Sequence, residues 1–94
     1  MQATLLRRDR IELPSGAIVE MVVWRVPKPV PGSAHGFKYR FAYVVAGKCV
    51  LRYDNETGKG DHRHLRGRES PVVFSDIDEL VAQFIAEVER LEDL

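Results

Sequence analysis

The chain has 94 residues, of which 45% are hydrophobic and 30% are charged, and this composition predicts one globular domain spanning residues 1–94. No apolar run approaches the length of a membrane span, since the run at residues 21–24, for example, stops at Arg25. The first residues lack the pattern of a secretory signal, so we expect neither a membrane span nor export. The formal net charge is zero, but residues 76–94 sum to −6 and the rest of the chain to +6, so the basic part can attract an anionic ligand.

The N-terminal third predicts two strands and a stiff loop. Residues 3–8 have the composition of a short strand that ends before a turn at Asp9. Residues 17–26 are rich in Val, Ile and Trp on both faces, which predicts a central strand. Three prolines then break regular pairing, so residues 27–36 are expected to form an exposed loop in which His35 is solvated.

Residues 37–54 predict a β-hairpin. Apolar and polar residues alternate on each side of the short turn Ala46-Gly47. Cys49 belongs to the second alternation, so we expect a packed thiol, and a lone cysteine makes the cytoplasm the default compartment. The polar face of this hairpin carries a group of cations, namely Lys38, Arg40 and Arg52.

The segment Tyr53–Glu69, YDNETGKGDHRHLRGRE, is almost wholly polar and offers only Leu65 to a core. Burying so many charges is prohibitive without partners, so the segment is either a dispensable loop or a functional surface. If it is extended around Asp61–Leu65, the two histidines point to one face and their neighbours to the other. If it forms a turn, all these side chains can converge, and the sequence leaves both arrangements open.

The C-terminal part predicts a short edge strand at residues 71–74 and then a helix with Ser75 as its N-cap. Seven apolar residues at spacings of three and four form one helical stripe: Ile77, Leu80, Val81, Phe84, Ile85, Val88 and Leu91. That stripe needs a sheet to cover. The predicted fold is therefore α+β, with an antiparallel sheet of four to five strands packed against one C-terminal amphipathic helix.

The polar segment, followed by Pro71, Phe74 and a helix with an acidic tail, resembles the TumE family of toxins from bacterial toxin–antitoxin systems. The run GKGDHRH is similar to the central signature of that family, and the upstream stretch GAIVEMVVWRVPKPVPGSAHGFKYRF resembles its strand, proline loop and tyrosine-rich strand. The resemblance thus covers nearly the whole chain. It implies a small bacterial protein neutralised by a helix-turn-helix antitoxin protein encoded beside it, but it implies no settled chemistry.

The leading hypothesis is a toxin that acts on RNA or on translation, with a ribonuclease activity that requires no metal ion or other cofactor. Its catalytic candidates are two imidazoles that titrate near neutrality, a carboxylate and a cation: His62, His64, Asp61 and Lys59. Its candidates for binding substrate phosphates are Arg63, Arg66, Arg68, Lys38, Arg40 and Arg52. A homodimer is compatible with this hypothesis, and no membrane partner is expected.

Two further functions remain open. One is a non-enzymatic RNA- or protein-binding module that uses an exposed hairpin edge and the acidic helix. The other is a small metal-dependent hydrolase in which His62 and His64 bind zinc, manganese or iron with a third ligand from Asp61, Asp54 or His35.

Some of these residues also have a purely structural interpretation. The polar segment can be a salt-bridged loop in which Arg63 pairs with Asp76 or Glu79. Three tyrosines on alternating positions can stack on unpaired bases, but they are more typical of a core: Tyr39, Tyr43 and Tyr53.

Overall fold

The computed structural model describes residues 2–56 and 58–93, and it confirms an α+β fold. Six strands follow one another along the chain and precede a single helix: β1 Thr4–Glu12, β2 Ile18–Arg25, β3 Phe37–Val45, β4 Lys48–Asp54, β5 His62–Leu65, β6 Arg68–Pro71 and α1 Ile77–Glu92. Each strand pairs antiparallel with the next in one sheet, which therefore has one strand more than the upper limit predicted. Within the described residues, no helix combines the length and the apolar character needed to cross a membrane.

The predicted hairpin at residues 37–54 is confirmed as β3 and β4. Its register shifts near the turn, because Tyr43 pairs with Leu51 whereas Val44 pairs with Cys49. This bulge places one extra residue in β4 and reverses the phase of the alternation. Cys49 is therefore exposed, and the prediction of a packed thiol is wrong.

The first strand is longer than predicted, because β1 continues through Asp9 to Glu12. Its charged side chains are tolerated because β1 lies at the edge of the sheet and is largely exposed. The turn comes later, where the Gly16 N–H donates to the Leu13 carbonyl and the Leu13 N–H donates to the Ala17 carbonyl.

The core lies between one face of the sheet and α1. Phe84 of the helix packs against Phe41 and meets Tyr53 edge-on, with ring centroids 5.5 and 5.1 Å apart. Tyr39, Tyr43 and Tyr53 are all buried in this core, as the structural interpretation predicted. The helix confirms the predicted apolar stripe.

The sequence predicts Ser75 as the helix N-cap, but the N-cap in the structure is Asp76. The Asp76 side chain accepts a hydrogen bond of 2.8 Å from the Glu79 N–H. A carboxylate also complements the positive end of the helix dipole, so the cap moves one residue along the chain.

The polar segment is extended and forms the hairpin of β5 and β6. The turn between these strands places Arg66 and Gly67 at φ 47° and 84°, the left-handed conformation of a tight hairpin turn. The edge strand predicted at residues 71–74 is wrong in position, since β6 ends at Pro71. Beyond it the Val72 N–H donates to the Asp61 carbonyl, which leads the chain towards the helix.

We call the sheet face opposite α1 the open face. Cross-strand pairing arranges its side chains in rows, because residues facing one another across antiparallel strands share a face. One row contains Arg40, Asp54 and His62, and the next contains Ala42, Arg52, His64 and Glu69.

Candidate functional site

Three side chains of β4 and β5 meet on the open face, and we call them the Asp-His-His cluster: Asp54, His62 and His64. Asp54 lies directly opposite His62 across the two strands. The two imidazole rings have centroids 4.9 Å apart and lie at 65° to each other. One ligand-type atom from each of the three residues lies within 4.8 Å of the others. The extended arrangement of the polar segment therefore brings both predicted histidines into one site.

The orientation of His62 is fixed by the backbone. Its Nδ1 lies 3.0 Å from the Gly60 carbonyl oxygen, an acceptor, so Nδ1 carries a proton and donates it. Its Nε2 lies 2.8 Å from Oδ1 of Asp54, and both side chains are more than 90% buried. In the neutral ring Nε2 is an acceptor that faces another acceptor, so either a second proton on the ring or a bound cation is needed between this nitrogen and the carboxylate.

The polar atoms of this site are close together but poorly aligned for hydrogen bonds. Among the residues that the structure describes, five buried side-chain atoms lack a hydrogen-bond partner, and all belong to the cluster or its neighbour: Arg52 Nε, Asp54 Oδ1 and Oδ2, His62 Nε2 and His64 Nε2. Arg52 Nε nevertheless lies 2.8 Å from Asp54 Oδ2, and His64 Nε2 lies 3.1 Å from Glu69 Oε1. Charge attraction thus holds Arg52 against Asp54, but the hydrogen-bonding capacity of these buried atoms is not satisfied.

Cations and cavities surround the cluster. A cavity of about 440 Å³ adjoins Asp54, and its lining includes Lys38 and Arg40 together with Glu56. A second cavity of about 350 Å³ adjoins His62 on the side of Lys59. Lys38, Arg40 and Arg52 share the open face, as predicted from the alternation of the hairpin.

Asp61 lines the second cavity together with His62, but its carboxylate is bound by residues outside the Asp-His-His cluster. It precedes β5, and its carboxylate accepts hydrogen bonds from Tyr39 Oη at 2.7 Å and from Ser33 Oγ at 3.3 Å. The same carboxylate lies 2.8 Å from His35 Nε2, and the His35 ring stacks on Phe74 with centroids 3.6 Å apart. Asp61 therefore fastens the proline loop to the sheet, and the expectation that His35 is solvated is wrong.

Arg63 also lies apart from the histidines, on the sheet face that packs against α1. Its guanidinium donates to both carboxylate oxygens of Glu87, with Nε at 2.8 and 3.1 Å. The ion pair is thus made with Glu87 rather than with Asp76 or Glu79. Burial by itself raises the pKa of the Glu87 carboxyl, but hydrogen bonds from Arg63 and Tyr53 outweigh it, and the pKa lies below its usual value. Hydrogen bonding to Glu87 in turn raises the pKa of Arg63.

The remaining predicted cations lie at the periphery. Lys59 is exposed, with its Nζ 3.6 Å from Glu69 Oε1. Arg66 and Arg68 are exposed at the turn between β5 and β6 and at the start of β6. None of these three side chains lines the cavity beside Asp54, whereas Lys59 lines the second cavity together with His62.

Two functional candidates were underestimated from the sequence. Asp54 appeared there only as one of several metal-ligand candidates, and Glu69 had no assigned role. The signal that identifies them is the pairing of β5 with β4 and β6, which places Asp54 opposite His62 and Glu69 opposite His64.

Comparison with known proteins gives one result. A family model described as Toxin TumE matches residues 2–92, which is nearly the full length of the chain. No curated protein and no solved structure matches the chain at a significant level.

Proposed function

The chain belongs to the TumE family of toxins, and we propose that it acts on RNA through the open face of its sheet. Membership in a toxin family implies an antitoxin that neutralises it. We further propose that this antitoxin is a helix-turn-helix protein. That the target is RNA, and that the open face binds it, are likewise proposals.

One observation carries the RNA proposal: the Asp-His-His cluster and the hairpin cations occupy the same face of the sheet. Lys38 and Arg40 line the cavity beside Asp54, where they can contact the phosphates of an extended strand. Trp24, half-buried on the same face and paired with Lys38, offers an aromatic surface on which a base can stack. Binding of single-stranded RNA fits a surface that combines cations with an aromatic ring.

The cluster is the best candidate for a reaction centre. In RNA cleavage the 2′-oxygen attacks the adjacent phosphorus and the bond to the 5′-oxygen breaks. One proton leaves the 2′-hydroxyl and another reaches the departing 5′-oxygen. Lys38 and Arg40 would bind the phosphate oxygens, on which negative charge increases in the transition state.

The catalytic set changes from the one expected from the sequence. The Asp61 carboxylate is engaged by Tyr39, Ser33 and His35, and Lys59 is linked to His64 only through Glu69, so a scheme that uses all four predicted groups at one phosphate is not favoured. We retain His62 and His64 and replace Asp61 by Asp54, which lies 2.8 Å from His62.

Induced expression in a bacterial host tests the toxin action. Wild-type protein is expected to arrest growth, and His64→Ala is expected to relieve the arrest at equal protein level. His35→Gln serves as the matched control, because His35 lies outside the cluster. Normal growth with the wild-type protein would contradict toxicity in that host.

Purified protein tests the RNA chemistry. Wild-type protein is expected to shorten total cellular RNA, whereas a His62→Ala, His64→Ala double variant leaves it intact. Growth arrest without RNA cleavage by the purified protein would instead favour the binding-only function. Equal cleavage by the wild type and the double variant would remove the histidines from the mechanism.

A further inference from the structure

We propose that Asp54, His62 and His64 form a binding site for one divalent transition-metal ion, with Zn²⁺ as the best fit. The inference concerns metal binding and does not depend on RNA being the substrate. With an ion at Nε2 and Nδ1 donating to Gly60, His62 has no free ring nitrogen, so the metal-bound form and the acid–base use of His62 in the proposed function are alternatives. Four features of the site support metal binding: the ligand set, the tautomer of His62, the unpaired buried atoms and the local charge.

The ligand set suits a transition metal. Two imidazole nitrogens and one carboxylate oxygen lie within 4.8 Å of one another. Ligands of one ion at bond lengths of about 2.0–2.2 Å are at most about 4.4 Å apart, so a small adjustment of the side chains brings all three onto a single ion. Imidazole ligands favour zinc and its neighbours over magnesium and calcium, which prefer oxygen ligands. Three protein ligands are also the usual number where zinc keeps one position for water or substrate.

The backbone presets the coordinating nitrogen of His62. Because Nδ1 donates to the Gly60 carbonyl, the lone pair of the neutral ring is at Nε2, which faces Asp54. A hydrogen bond donated by the ring nitrogen that does not bind the metal commonly orients a metal-binding histidine and raises the basicity of its other nitrogen.

The unpaired buried atoms belong to the three side chains of the cluster and to Arg52. Asp54 Oδ1, His62 Nε2 and His64 Nε2 lack hydrogen-bond partners among the described residues, although the Asp54 and His62 side chains are nearly inaccessible to solvent. Buried polar atoms without partners are costly, and such groups ordinarily find one. A cation bound by all three atoms would satisfy them together.

The neighbouring charges are compatible with a bound cation. Arg52 contacts Oδ2 of Asp54, which leaves Oδ1 directed towards the histidines. Glu69 lies beside His64 at 3.1 Å and is half-exposed, so its carboxylate can approach the ion as a fourth ligand. The two carboxylates offset the ion's double positive charge.

The test uses metal-free protein, prepared by dialysis against a chelator and titrated with Zn²⁺ in a calorimeter. All proteins carry Cys49→Ser, because that exposed thiol is an adventitious zinc ligand. We expect one ion per chain and a rise in the melting temperature of about 10–20 °C at a free Zn²⁺ concentration of about 100 times Kd. Co²⁺ in place of Zn²⁺ is expected to give visible absorption bands typical of nitrogen and oxygen ligands.

Matched variants separate this site from other binding. Asp54→Asn and His64→Gln are expected to weaken binding by more than the roughly 10- to 100-fold that outer-shell partners contribute. His35→Gln keeps wild-type affinity, since that third histidine lies outside the cluster. His64 is the preferred histidine to change because it is the more exposed of the pair, and circular dichroism verifies that each variant is folded.

Two results would overturn the inference. One is the absence of Zn²⁺ binding by the wild-type chain. The other is equal binding by the wild type, Asp54→Asn and His64→Gln, which would place the ion elsewhere. Either result leaves the RNA proposal standing, because RNA cleavage is measured separately.

Discussion

Arg63 of β5 and Glu87 of α1 form a bidentate ion pair that ties the polar segment to the helix. The Tyr53 hydroxyl donates to the same carboxylate. Because alternate residues of a strand point to opposite faces, anchoring Arg63 against the helix directs His62 and His64 to the open face. The ion pair therefore fixes the orientation of the histidines without touching them.

Breaking this pair should destabilise the fold. Glu87→Gln is expected to lower the free energy of unfolding by about 2 kcal/mol, measured by urea denaturation. The effect is smaller than the roughly 3–5 kcal/mol of a fully buried pair, because the Arg63 side chain keeps 26% of its surface exposed. The double variant Arg63→Met, Glu87→Leu should recover most of the loss, since it leaves no unpaired charge. Unchanged stability of Glu87→Gln would contradict this role.

The same pair predicts a dependence of stability on pH. The pKa of Glu87 is lowered in the folded state by Arg63, Tyr53 and Arg90 acting against burial. The stabilisation is therefore complete above the unfolded pKa of about 4.3 and is lost as the pH falls through the folded value. Between pH 7 and pH 3, wild-type stability should decrease more steeply than that of Glu87→Gln. Parallel profiles in urea denaturation at each pH would count against the assignment.

Local patterns predicted those parts of the fold that depend on local forces. The alternation around Ala46-Gly47 located the hairpin of β3 and β4, and the stripe ending at Leu91 located the helix. The sequence does not predict the hairpin of β5 and β6, because HRHL carries no apolar alternation. Instead β5 pairs with β4, and β6 pairs with β5. The sequence does not single out Asp54 either, because its proximity to His62 depends on the register between β4 and β5, which the sequence does not reveal.

Replacing Asp61 or Asp54 by asparagine should separate the structural role of Asp61 from the functional role of Asp54. Asp61→Asn is expected to lower stability by about 1–3 kcal/mol, because Asp61 accepts hydrogen bonds from Tyr39 and Ser33 and contacts His35. Folded Asp61→Asn should keep both toxicity and zinc binding, whereas Asp54→Asn should lose both. Growth assays, calorimetry and thermal melts provide the three measurements. Loss of toxicity in Asp61→Asn without loss of stability would restore Asp61 to the catalytic set.

Removal of cations from the open face should weaken RNA binding in a salt-dependent way. Lys38→Ala and Arg40→Ala are each expected to reduce the slope of log affinity against log salt by about 0.7, the value for one phosphate contact with a single strand. Arg90→Ala is the control, because Arg90 is an exposed arginine on α1. Fluorescence anisotropy with a labelled single-stranded RNA gives the slopes. If the slopes for Lys38→Ala and Arg40→Ala equal those for the wild type and Arg90→Ala, the open face is excluded as the binding surface.

Two glycines provide a matched test of the loop that supports His62. Gly58 and Gly60 have φ values of 85° and 72°, so alanine at either position is strained by about 1–2 kcal/mol. At Gly60 the added Cβ would also lie 2.9 Å from the Gly32 carbonyl oxygen, whereas at Gly58 no described atom lies within 4 Å.

Gly60→Ala should therefore be less stable than Gly58→Ala by about 1–3 kcal/mol, as for other overpacked sites, in urea denaturation. It should also bind Zn²⁺ about 10- to 100-fold more weakly in calorimetry, because the Gly60 carbonyl that accepts from His62 must move with its backbone. A loss of stability with unchanged zinc affinity would show that this carbonyl does not orient the imidazole. Since Gly58 contributes no such contact, any weakening specific to Gly60→Ala reports on the link between the loop and His62.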